Sequence, residues 1–347
     1  MAGGRGERFW PAGRKATPKQ LLSFGGGNSS MIEETIQRLF PMFVPENILV
    51  VTSEQYAERM KKLLPLAPEN IISEPAQRNT AGCIALACAI IKRREGDEDV
   101  MMTVLPSDHM ITPVKAFHET LAKAAKEAEN GRIVTIGIIP SRADTGYGYI
   151  NISDQVSNGI YEVTAFREKP DAATAREYFL SGRYRWNSGI FVWKTDVVIS
   201  ELSRCLPDWG KFINNAINSD DFDTYVKEHF SDGSSVSIDI GVLEKISGIS
   251  CTDASFYWND LGSWSSLFEL DLPDENGNIV RGKNVLIDTR GSIVCGDDST
   301  LIGVIGMRDT AVIKSGNGIL VCPLSEEQKV REIISAAKRD PELEKFI

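Results

Sequence analysis

Short apolar runs that alternate with amphipathic segments constrain the fold of this chain more than any other feature. Helical periodicity lies between several runs, at Thr80–Arg93, where Thr80 could be the N-cap, and at Val114–Glu129. Strands that alternate with helices predict an α/β fold with a mostly parallel, Rossmann-like sheet. The runs are rich in β-branched residues and mostly apolar on both faces, as in buried strands: Ile48–Thr52, Val100–Leu105, Ile133–Ile138, Tyr161–Phe166 and Gly189–Trp193.

The pattern changes near residue 273, where the turn cluster Pro273–Gly277 begins. An amphipathic helix at about Glu326–Lys338 follows a set of short strand-like runs that glycine separates. We therefore predict a catalytic domain of residues 1–272 and a small C-terminal β domain of residues 273–347, with one or two β-helix coils and a terminal helix. The short runs are Asn284–Thr289, Ser292–Cys295, Leu301–Gly306, Ala311–Lys314 and Gly318–Cys322.

Composition excludes several classes of protein. No run in the 347 residues approaches the roughly 18 apolar residues of a membrane span, and the first ten residues lack the apolar segment of a signal peptide. The six cysteines are scattered, which argues against a disulfide scaffold or zinc module and favours a reducing cytoplasm. The net charge of −10 argues against nucleic acid as a partner, so we expect neither nucleic acid nor membrane binding.

The start of the chain is locally cationic and rich in glycine. Its first 20 residues hold five basic side chains and one acidic one. The backbone N–H groups of Gly3–Gly6 carry little side-chain bulk around them and could approach a polyphosphate, while Arg8 and Lys19 could neutralise its phosphates. The glycine spacing matches neither a Walker loop nor the dinucleotide fingerprint. A glycine turn in a solvated basic tail is the alternative.

Asp108 follows the apolar run Val100–Leu105. Open parallel sheets bind ligands beyond the carboxyl ends of their strands, which is where this carboxylate falls. A carboxylate that faces phosphates needs a cation, and Mg²⁺ is usually held by one or two carboxylates and phosphate oxygens. The alternative is a turn or N-cap aspartate before the next helix. Asp260, within Asn-Asp-Leu-Gly, is by itself typical of a plain turn.

Eight segments of the sequence carry a family resemblance. The pattern Gly-Gly-x-Gly-x-Arg-x-x-Pro at residues 3–11, followed by Pro18-Lys19, resembles the signature of the sugar-phosphate nucleotidyltransferases, in the form of their mannose-1-phosphate guanylyltransferase branch. The resemblance spans residues 2–264. The further segments that match in the same order are Glu74–Gly82, Leu105–His109, Thr145–Ile150, Phe166–Pro170, Trp186–Phe191, Ser237–Leu243 and Trp258–Trp264.

The resemblance implies site residues. It makes Asp108 and Asp260 ligands of Mg²⁺, and Arg8, Lys19 and Lys169 catalytic residues. It also implies that the sugar phosphate binds Gly148, Glu168, Lys169 and Asn187, and that the nucleotide binds Gly3, Gly4, Arg5, Gly6, Arg78, Asn79, Thr80 and Ser107. Each has a structural alternative: a hairpin turn at Gly148, an edge-strand Lys169, a turn at Asn187 and a helix start at residues 78–80. Which residue reads the base stays open.

The implied reaction joins GTP and mannose 1-phosphate to give GDP-mannose and pyrophosphate. The attacking phosphate oxygen is already ionised at neutral pH, so positioning and charge neutralisation would do most of the catalysis. Another sugar-1-phosphate nucleotidyltransferase, or a non-catalytic regulatory homologue, is the alternative. The sequence does not determine the oligomeric state, for which we expect a homodimer.

Only Met1 and Ala2 precede the glycine-rich segment. In a parallel α/β fold a phosphate-binding loop follows a buried strand of about five residues. We therefore expect the native product to carry several more apolar residues upstream. They would add several kcal/mol of stability, at roughly 1.5–3 kcal/mol for each large apolar side chain that becomes buried.

Overall fold

The computed structural model describes residues 1–4, 6–24, 27, 29–157 and 159–347, and only the backbone of residues 154–157. The chain forms two compact units. The first contains Met1–Gly3, Arg38–Pro106 and Ile111–Trp258, and the second contains Gly4–Gln37, Ser107–Met110 and Asn259–Ile347. The second unit thus takes in N-terminal residues as well as the C-terminal β region. The domain boundary between residues 272 and 273 stays a prediction.

Secondary structure is distributed along the whole chain. The strands are β1 (Val50–Ser53), β2 (Ile71–Glu74), β3 (Met101–Val104), β4 (Met110–Thr112), β5 (Ile133–Ile138), β6 (Tyr149–Ser157), β7 (Ile160–Arg167), β8 (Tyr184–Lys194), β9 (Ile249–Asp253), β10 (Tyr257–Asn259), β11 (Ile279–Arg281), β12 (Asn284–Ile287), β13 (Ile293–Cys295), β14 (Ile302–Ile305), β15 (Thr310–Ser315) and β16 (Gly318–Pro323). The helices are α1 (Met31–Leu39), α2 (Glu54–Leu63), α3 (Asn79–Glu95), α4 (Val114–Ala128), α5 (Ala172–Ser181), α6 (Thr195–Cys205), α7 (Pro207–Ile217), α8 (Phe222–His229), α9 (Val330–Ala337) and α10 (Pro341–Glu344). Among the described residues, no helix is both long and apolar enough to span a bilayer.

The main sheet of the first unit has six strands in the order β3-β8-β5-β9-β7-β6. The α/β class is confirmed, and each of the five predicted strands overlaps an observed one. In this sheet β5 and β9 are parallel, whereas β8 runs antiparallel to both β3 and β5, so the sheet is mixed. Strands β1 and β2 form a separate parallel pair. Buried strands of either direction have the same apolar pattern, and the sequence therefore did not reveal the reversal of β8.

Helix α3 lies in the core of the first unit, and small residues let it pack closely. A Cβ placed on Gly82 would lie 3.0 Å from the ring of Trp209 on α7. The predicted N-cap at Thr80 is wrong, because the helix begins at Asn79 and Thr80 lies inside it. The Thr80 hydroxyl instead accepts a 2.8 Å hydrogen bond from the backbone N–H of Ile238.

The second unit contains the predicted β-helix-like region. Strands β11, β13 and β15 pair in parallel, β12 pairs in parallel with β14, and β16 closes the stack antiparallel to β15. The terminal helix α9 is shorter than predicted, since residues Leu324–Lys329 form a 3₁₀ helix before it. The core here joins N-terminal and C-terminal side chains, namely Phe9, Phe24, Met31, Leu261, Trp264, Leu267, Ile279, Ile293, Cys295, Ala311, Ile313, Leu320 and Val330.

Candidate active site

The glycine-rich loop of the second unit packs tightly on the segment that carries Lys19. Gly6 has a φ of +66°, and a Cβ on it would lie 2.4 Å from the backbone nitrogen of Lys19. Glycine is therefore required at this position both for conformation and for space. Around Gly4 nothing lies within 4 Å of a Cβ position, so its backbone is open to a ligand. Arg5, a predicted nucleotide contact, lies outside the described residues.

The Lys19 ammonium joins the two predicted metal ligands. It donates a 2.9 Å hydrogen bond to Asp108 Oδ2 and another to the backbone carbonyl of Asp260. Burial opposes ionisation of Asp108, but the charges of Lys19 and His109 outweigh it and hold the pKa of Asp108 below its usual value. Asp108 is therefore a carboxylate at neutral pH, and Lys19 neutralises it.

The loop that carries Asp260 is held by its own side chains. Asn259 accepts a 2.7 Å hydrogen bond from the backbone N–H of Leu261 and donates one of 2.7 Å to Glu269. A Cβ on Gly262 would lie 3.4 Å from Asp260 Oδ1. The carbonyl of Gly262 accepts a long hydrogen bond of 3.5 Å from the guanidinium of Arg8. The structure therefore brings Arg8, Lys19, Asp108 and Asp260 together in one unit.

The acidic residues of this cluster fit a hard divalent cation. Within the described ranges, no group of three or more His, Cys, Asp or Glu side chains forms a metal site on its own. Mg²⁺ needs fewer protein ligands, because it keeps water and takes phosphate oxygens. The Lys19 ammonium, between Asp108 and the Asp260 carbonyl, shows that this position already stabilises positive charge. Asp108 and Asp260 would hold Mg²⁺ through oxygen atoms, as it prefers.

Ser107, a predicted nucleotide contact, is buried beside Asp108. Its carbonyl accepts a 3.3 Å hydrogen bond from the hydroxyl of Thr35 on α1. This bond ties the strand-end segment that carries Asp108 to the helix that follows the glycine-rich loop.

The four predicted sugar-phosphate residues lie together in the first unit. A Cβ on Gly148 would lie 2.6 Å from Glu168 Oε2, and the Gly148 carbonyl accepts a 2.8 Å hydrogen bond from the N–H of Asn187. Lys169 has a φ of +41°, and its ammonium pairs with Glu168. A non-glycine residue in this region of backbone space is uncommon and occurs often at functional sites.

Asp239 extends this group and was missed by the sequence analysis. Its Oδ1 accepts a 2.7 Å hydrogen bond from the side-chain amide of Asn187. Burial raises the pKa of Asp239, the Asn187 hydrogen bond opposes this, and the charge of Glu168 adds to it. The residue opens a π-helical turn, Asp239–Leu243, a geometry frequent at functional sites. The available signal was its place in the matching segment Ser237–Leu243.

Three of the predicted nucleotide-binding residues, Arg78, Asn79 and Thr80, make internal contacts. The guanidinium of Arg78 donates to the carbonyl of Ser231, with Nε at 3.1 Å. The side chain of Asn79 accepts a 2.8 Å hydrogen bond from the N–H of Thr80, whose hydroxyl is bound to Ile238. These contacts shape the start of α3, and the role of the three residues in base recognition stays a prediction.

Glu74, which the sequence analysis also missed, is a buried carboxylate at the carboxyl end of β2. It is 7% exposed, and its Oε1 has no hydrogen-bond partner among the described residues. Burial raises the pKa of Glu74 to about 7, against the opposing charge of the Met1 amino group. Its register partner Ser53 has a buried hydroxyl that is likewise without a partner there. Such groups are costly unless a ligand satisfies them.

Comparisons with known proteins identify the family. A family model described as nucleotidyl transferase matches residues 1–277. The chain belongs to the nucleotidyl transferase family. A second model, described as MannoseP isomerase/GMP-like beta-helix domain, matches residues 282–336 of this nucleotidyl transferase. Both matches agree with the resemblance stated from the sequence, which is thereby confirmed.

Relatives of this nucleotidyl transferase match nearly its full length. A mannose-1-phosphate guanylyltransferase of Salmonella typhimurium is 36% identical over 347 residues, which cover 98% of this chain and 72% of the relative. One of Escherichia coli K12 is 36% identical, with coverage of 98% and 73%. A crystal structure from Thermus thermophilus, described as a mannose-1-phosphate geranyltransferase, has a TM-score of 0.88 and 31% identity, and covers 97% of this chain and 98% of its own.

The geometry around Lys19 predicts the effect of removing either carboxylate. Asp108→Asn or Asp260→Asn should weaken divalent-cation binding and cut nucleotidyl-transfer turnover by at least about 10²-fold, as expected when one transition-state charge contact is lost. Mn²⁺ titration followed by electron paramagnetic resonance measures the first effect and steady-state kinetics the second. Asp298→Asn, an exposed change of the same charge in the same unit, is the control. Near-normal metal-dependent rates in either test variant would contradict the assignment.

Proposed function

We propose that this nucleotidyl transferase converts GTP and α-D-mannose 1-phosphate into GDP-mannose and pyrophosphate. An oxygen of the sugar phosphate attacks the α-phosphorus of GTP, a new P–O bond forms, and the bond to the β-phosphate oxygen breaks. The observation that carries the proposal is the Lys19–Asp108–Asp260 cluster, in a chain whose near-full-length relatives are named mannose-1-phosphate guanylyltransferases. The cluster provides charge neutralisation, which this chemistry requires most.

The basic residues of the second unit would bind the leaving group. Arg8 is positioned by the Gly262 carbonyl, and Lys19 by Asp108, so both side chains are oriented before substrate arrives. Preorganised donors of this kind stabilise developing charge without reorganisation in the transition state. Lys19 would exchange part of its contact with Asp108 for the phosphates of GTP. The open backbone at Gly4 would supply N–H groups to the same phosphates.

Mg²⁺ is the metal that we propose for Asp108 and Asp260. When bound, it would neutralise phosphate charge and orient phosphate oxygens. The attacking phosphate oxygen needs no general base, since it is ionised at neutral pH. Asp108, with its lowered pKa, would remain an anionic ligand throughout the neutral range.

The sugar-phosphate group of the first unit would dock the nucleophile. Lys169 is 54% exposed at its side chain and could turn from Glu168 toward the phosphate. The amide of Asn187, held by Asp239, would bind hexose hydroxyls, and Glu168 would accept a hydrogen bond from another. The missing side chain at Gly148 leaves room for Glu168 and for the sugar, because a Cβ there would clash with that carboxylate.

The proposed substrates are tested by pyrophosphate release from GTP, ATP, UTP and dTTP, each with mannose 1-phosphate and with glucose 1-phosphate. We expect GTP with mannose 1-phosphate to give the highest kcat/KM. A site whose polar groups hydrogen-bond one pair of substrates leaves some of those buried groups unpaired when a different pair binds. A different best pair would indicate another sugar-1-phosphate nucleotidyltransferase. No release with any pair would indicate a non-catalytic homologue.

The two proposed binding groups predict opposite effects on the two substrates. Lys169→Ala should weaken mannose 1-phosphate binding much more than GTP binding, because Lys169 is assigned only to the sugar phosphate. Arg8→Ala should do the reverse. Isothermal titration measures each ligand separately, and Lys211→Ala, on exposed helix surface, serves as the control. Loss of GTP binding in the Lys169 variant, with retention in the Arg8 variant, would show that the roles are misassigned.

We further propose that Glu74 reads guanine. Ionised Glu74 has only acceptors, and guanine presents two adjacent donors, N1–H and the N2 amine, on one edge. The pKa of Glu74 is about 7 without ligand, and these donors would favour the ionised form when guanine binds. Adenine and uracil each present an acceptor on the corresponding edge, and a carboxylate would repel this acceptor. A Cβ on Gly3 would lie 3.5 Å from Glu74 Oε2, so the absent side chain leaves the approach to this carboxylate clear. Gly3 directly precedes the proposed phosphate contacts in the sequence.

Glu74→Gln tests this role. Hydrogen bonds to a charged group contribute about 1.5–3 kcal/mol, so kcat/KM for GTP should fall about 10- to 100-fold. The preference for GTP over ITP, which lacks the N2 amine, should disappear. The ligand-free variant should melt no lower than the wild type, because a buried carboxylate is itself costly. The control is Glu69→Gln, an exposed residue just before β2. Unchanged discrimination between GTP and ITP would exclude Glu74 as the base reader.

The surface of the β region and the composition of the chain support two further proposals, on the oligomeric state and on the site of action. We propose a homodimer, since Val285, Ile287 and Ile305 are half-exposed or more on one outer face of β12–β14. The six cysteines are free thiols, in keeping with the proposed cytoplasmic site of action. Neither nucleic acid nor membrane is part of the proposal.

A further inference from the structure

A carboxylate from the C-terminal β region holds the loop that carries Asp260. Glu327 lies in the 3₁₀ helix Leu324–Lys329 and is 8% exposed. Its Oε2 accepts a 2.9 Å hydrogen bond from the backbone N–H of Ser265, and its Oε1 accepts one of 2.5 Å from the Ser265 hydroxyl. Both carboxylate oxygens of Glu327 therefore bind Ser265, which lies five positions after Asp260.

The segment between Asp260 and Ser265 is fixed from its other sides as well. The ring of Trp264 packs edge-on against Phe9 and Phe24, with centroids 5.2 Å and 6.2 Å away. Its indole N–H donates a 3.3 Å hydrogen bond to the carbonyl of Trp10. At the opposite end Lys19 binds the carbonyl of Asp260. Glu327 adds to these contacts a carboxylate anchor at the Ser265 end of the loop.

The backbone of this loop is under conformational strain that an anchor must offset. Leu261 has a φ of +47°, a region that branched and bulky residues rarely adopt. Such residues persist where surrounding contacts over-determine them, and they cluster at functional sites. A buried carboxylate is costly unless it is fully hydrogen-bonded. Because both oxygens of Glu327 bind Ser265, we infer that the position of Ser265 must be fixed accurately.

We propose that Glu327 is a positioning residue for the metal ligand Asp260, and that the C-terminal β region is thereby a working part of the active site. The proposal rests on the proposed role of Asp260 in holding Mg²⁺. Mg²⁺ requires near-ideal octahedral geometry, so a small displacement of one ligand weakens binding strongly. Glu327 acts through Ser265 and touches neither substrate nor metal.

The C-terminal region contacts the glycine-rich loop in the same way. Lys338 pairs with Glu7 at 2.8 Å, and the carbonyl of Phe346 accepts a 3.0 Å hydrogen bond from the indole of Trp10. These contacts flank Arg8 on both sides in the sequence. Residues that follow β16 therefore contact both the segment that carries Arg8 and the loop that carries Asp260.

The test compares Glu327→Ala, Glu327→Gln and Ser265→Ala with two controls. Glu326→Ala removes the same charge one residue earlier, where the carboxylate pairs with Lys329 on the surface. Val304→Ala lowers stability at a buried position of β14 that lies outside the core cluster containing Leu261 and Trp264. Two measurements are made well below the melting temperature of every variant: amide hydrogen exchange of residues 261–265 in metal-free protein, and Mn²⁺ affinity by electron paramagnetic resonance.

Glu327→Ala should speed exchange of the loop amides at least fivefold and weaken Mn²⁺ binding about tenfold. Ser265→Ala should show the same changes to a smaller extent. Glu327→Gln should keep most of the wild-type loop protection and Mn²⁺ affinity, because its amide oxygen can accept from the Ser265 N–H while its NH₂ donates to the hydroxyl. Neither control should change loop exchange or metal affinity, although Val304→Ala lowers the melting temperature.

Two results would overturn the inference. One is that Glu327→Ala and Val304→Ala show the same Mn²⁺ affinity and the same loop exchange at matched loss of stability, which would reduce Glu327 to a structural role. The other is full loop protection in both Glu327→Ala and Ser265→Ala. If the wild type itself bound no Mn²⁺, the proposed metal site would fail, whereas loop exchange would still decide whether Glu327 positions the Asp260 segment.

Discussion

The ammonium group of Lys19 is the contact on which the second unit depends. It joins residues that are 89 and 241 positions away in the sequence, and it does so with its side chain only 11% exposed. A buried charge without its partner is strongly destabilising, so Lys19 and Asp108 require each other. Gly6 serves this contact, because a side chain there would clash with the Lys19 backbone, and Gly13 packs against Gly6, whose carbonyl oxygen would lie 2.3 Å from a Cβ on Gly13.

The same physics links stability to chemistry at this site. A half-buried cluster of carboxylates and cations is costly to assemble. Its charges suit the highly charged ligand that we propose for this site. Aromatic packing of Phe9, Phe24 and Trp264 beneath the loops supplies the rigid base. The C-terminal β region supplies the polar anchors Glu327 and Lys338. The loops that carry the proposed catalytic groups are therefore supported by N-terminal and C-terminal residues of the chain.

Periodicity in the sequence was sufficient to predict individual helices and strands. The run Ile133–Ile138 is β5 as predicted, and the predicted helix from Val114 is α4, because each pattern is set by residues within one element. The direction of β8 was not predictable, since burial on both faces hides strand polarity. Short polar motifs located Asp108, Lys19 and Asn187, whose neighbours in the sequence are distinctive. Glu74, Asp239 and Glu327 were missed because their environment is made by distant segments. Glu74 and Asp239 lie within matching segments, but nothing in those segments distinguishes them from ordinary acidic residues.

The interleaved second unit has a consequence for synthesis of the protein. Glu7 meets Lys338 only after 331 further residues have been added to the nascent chain. At about 5–20 residues per second, this delay is roughly 15–70 s. During that interval the first unit can assemble behind the ribosome, whereas the glycine-rich segment lacks the Trp264 platform and the β-region anchors. The nascent polypeptide thus carries an incompletely folded cationic segment until the β region has been synthesised, and this segment becomes ordered only late in folding.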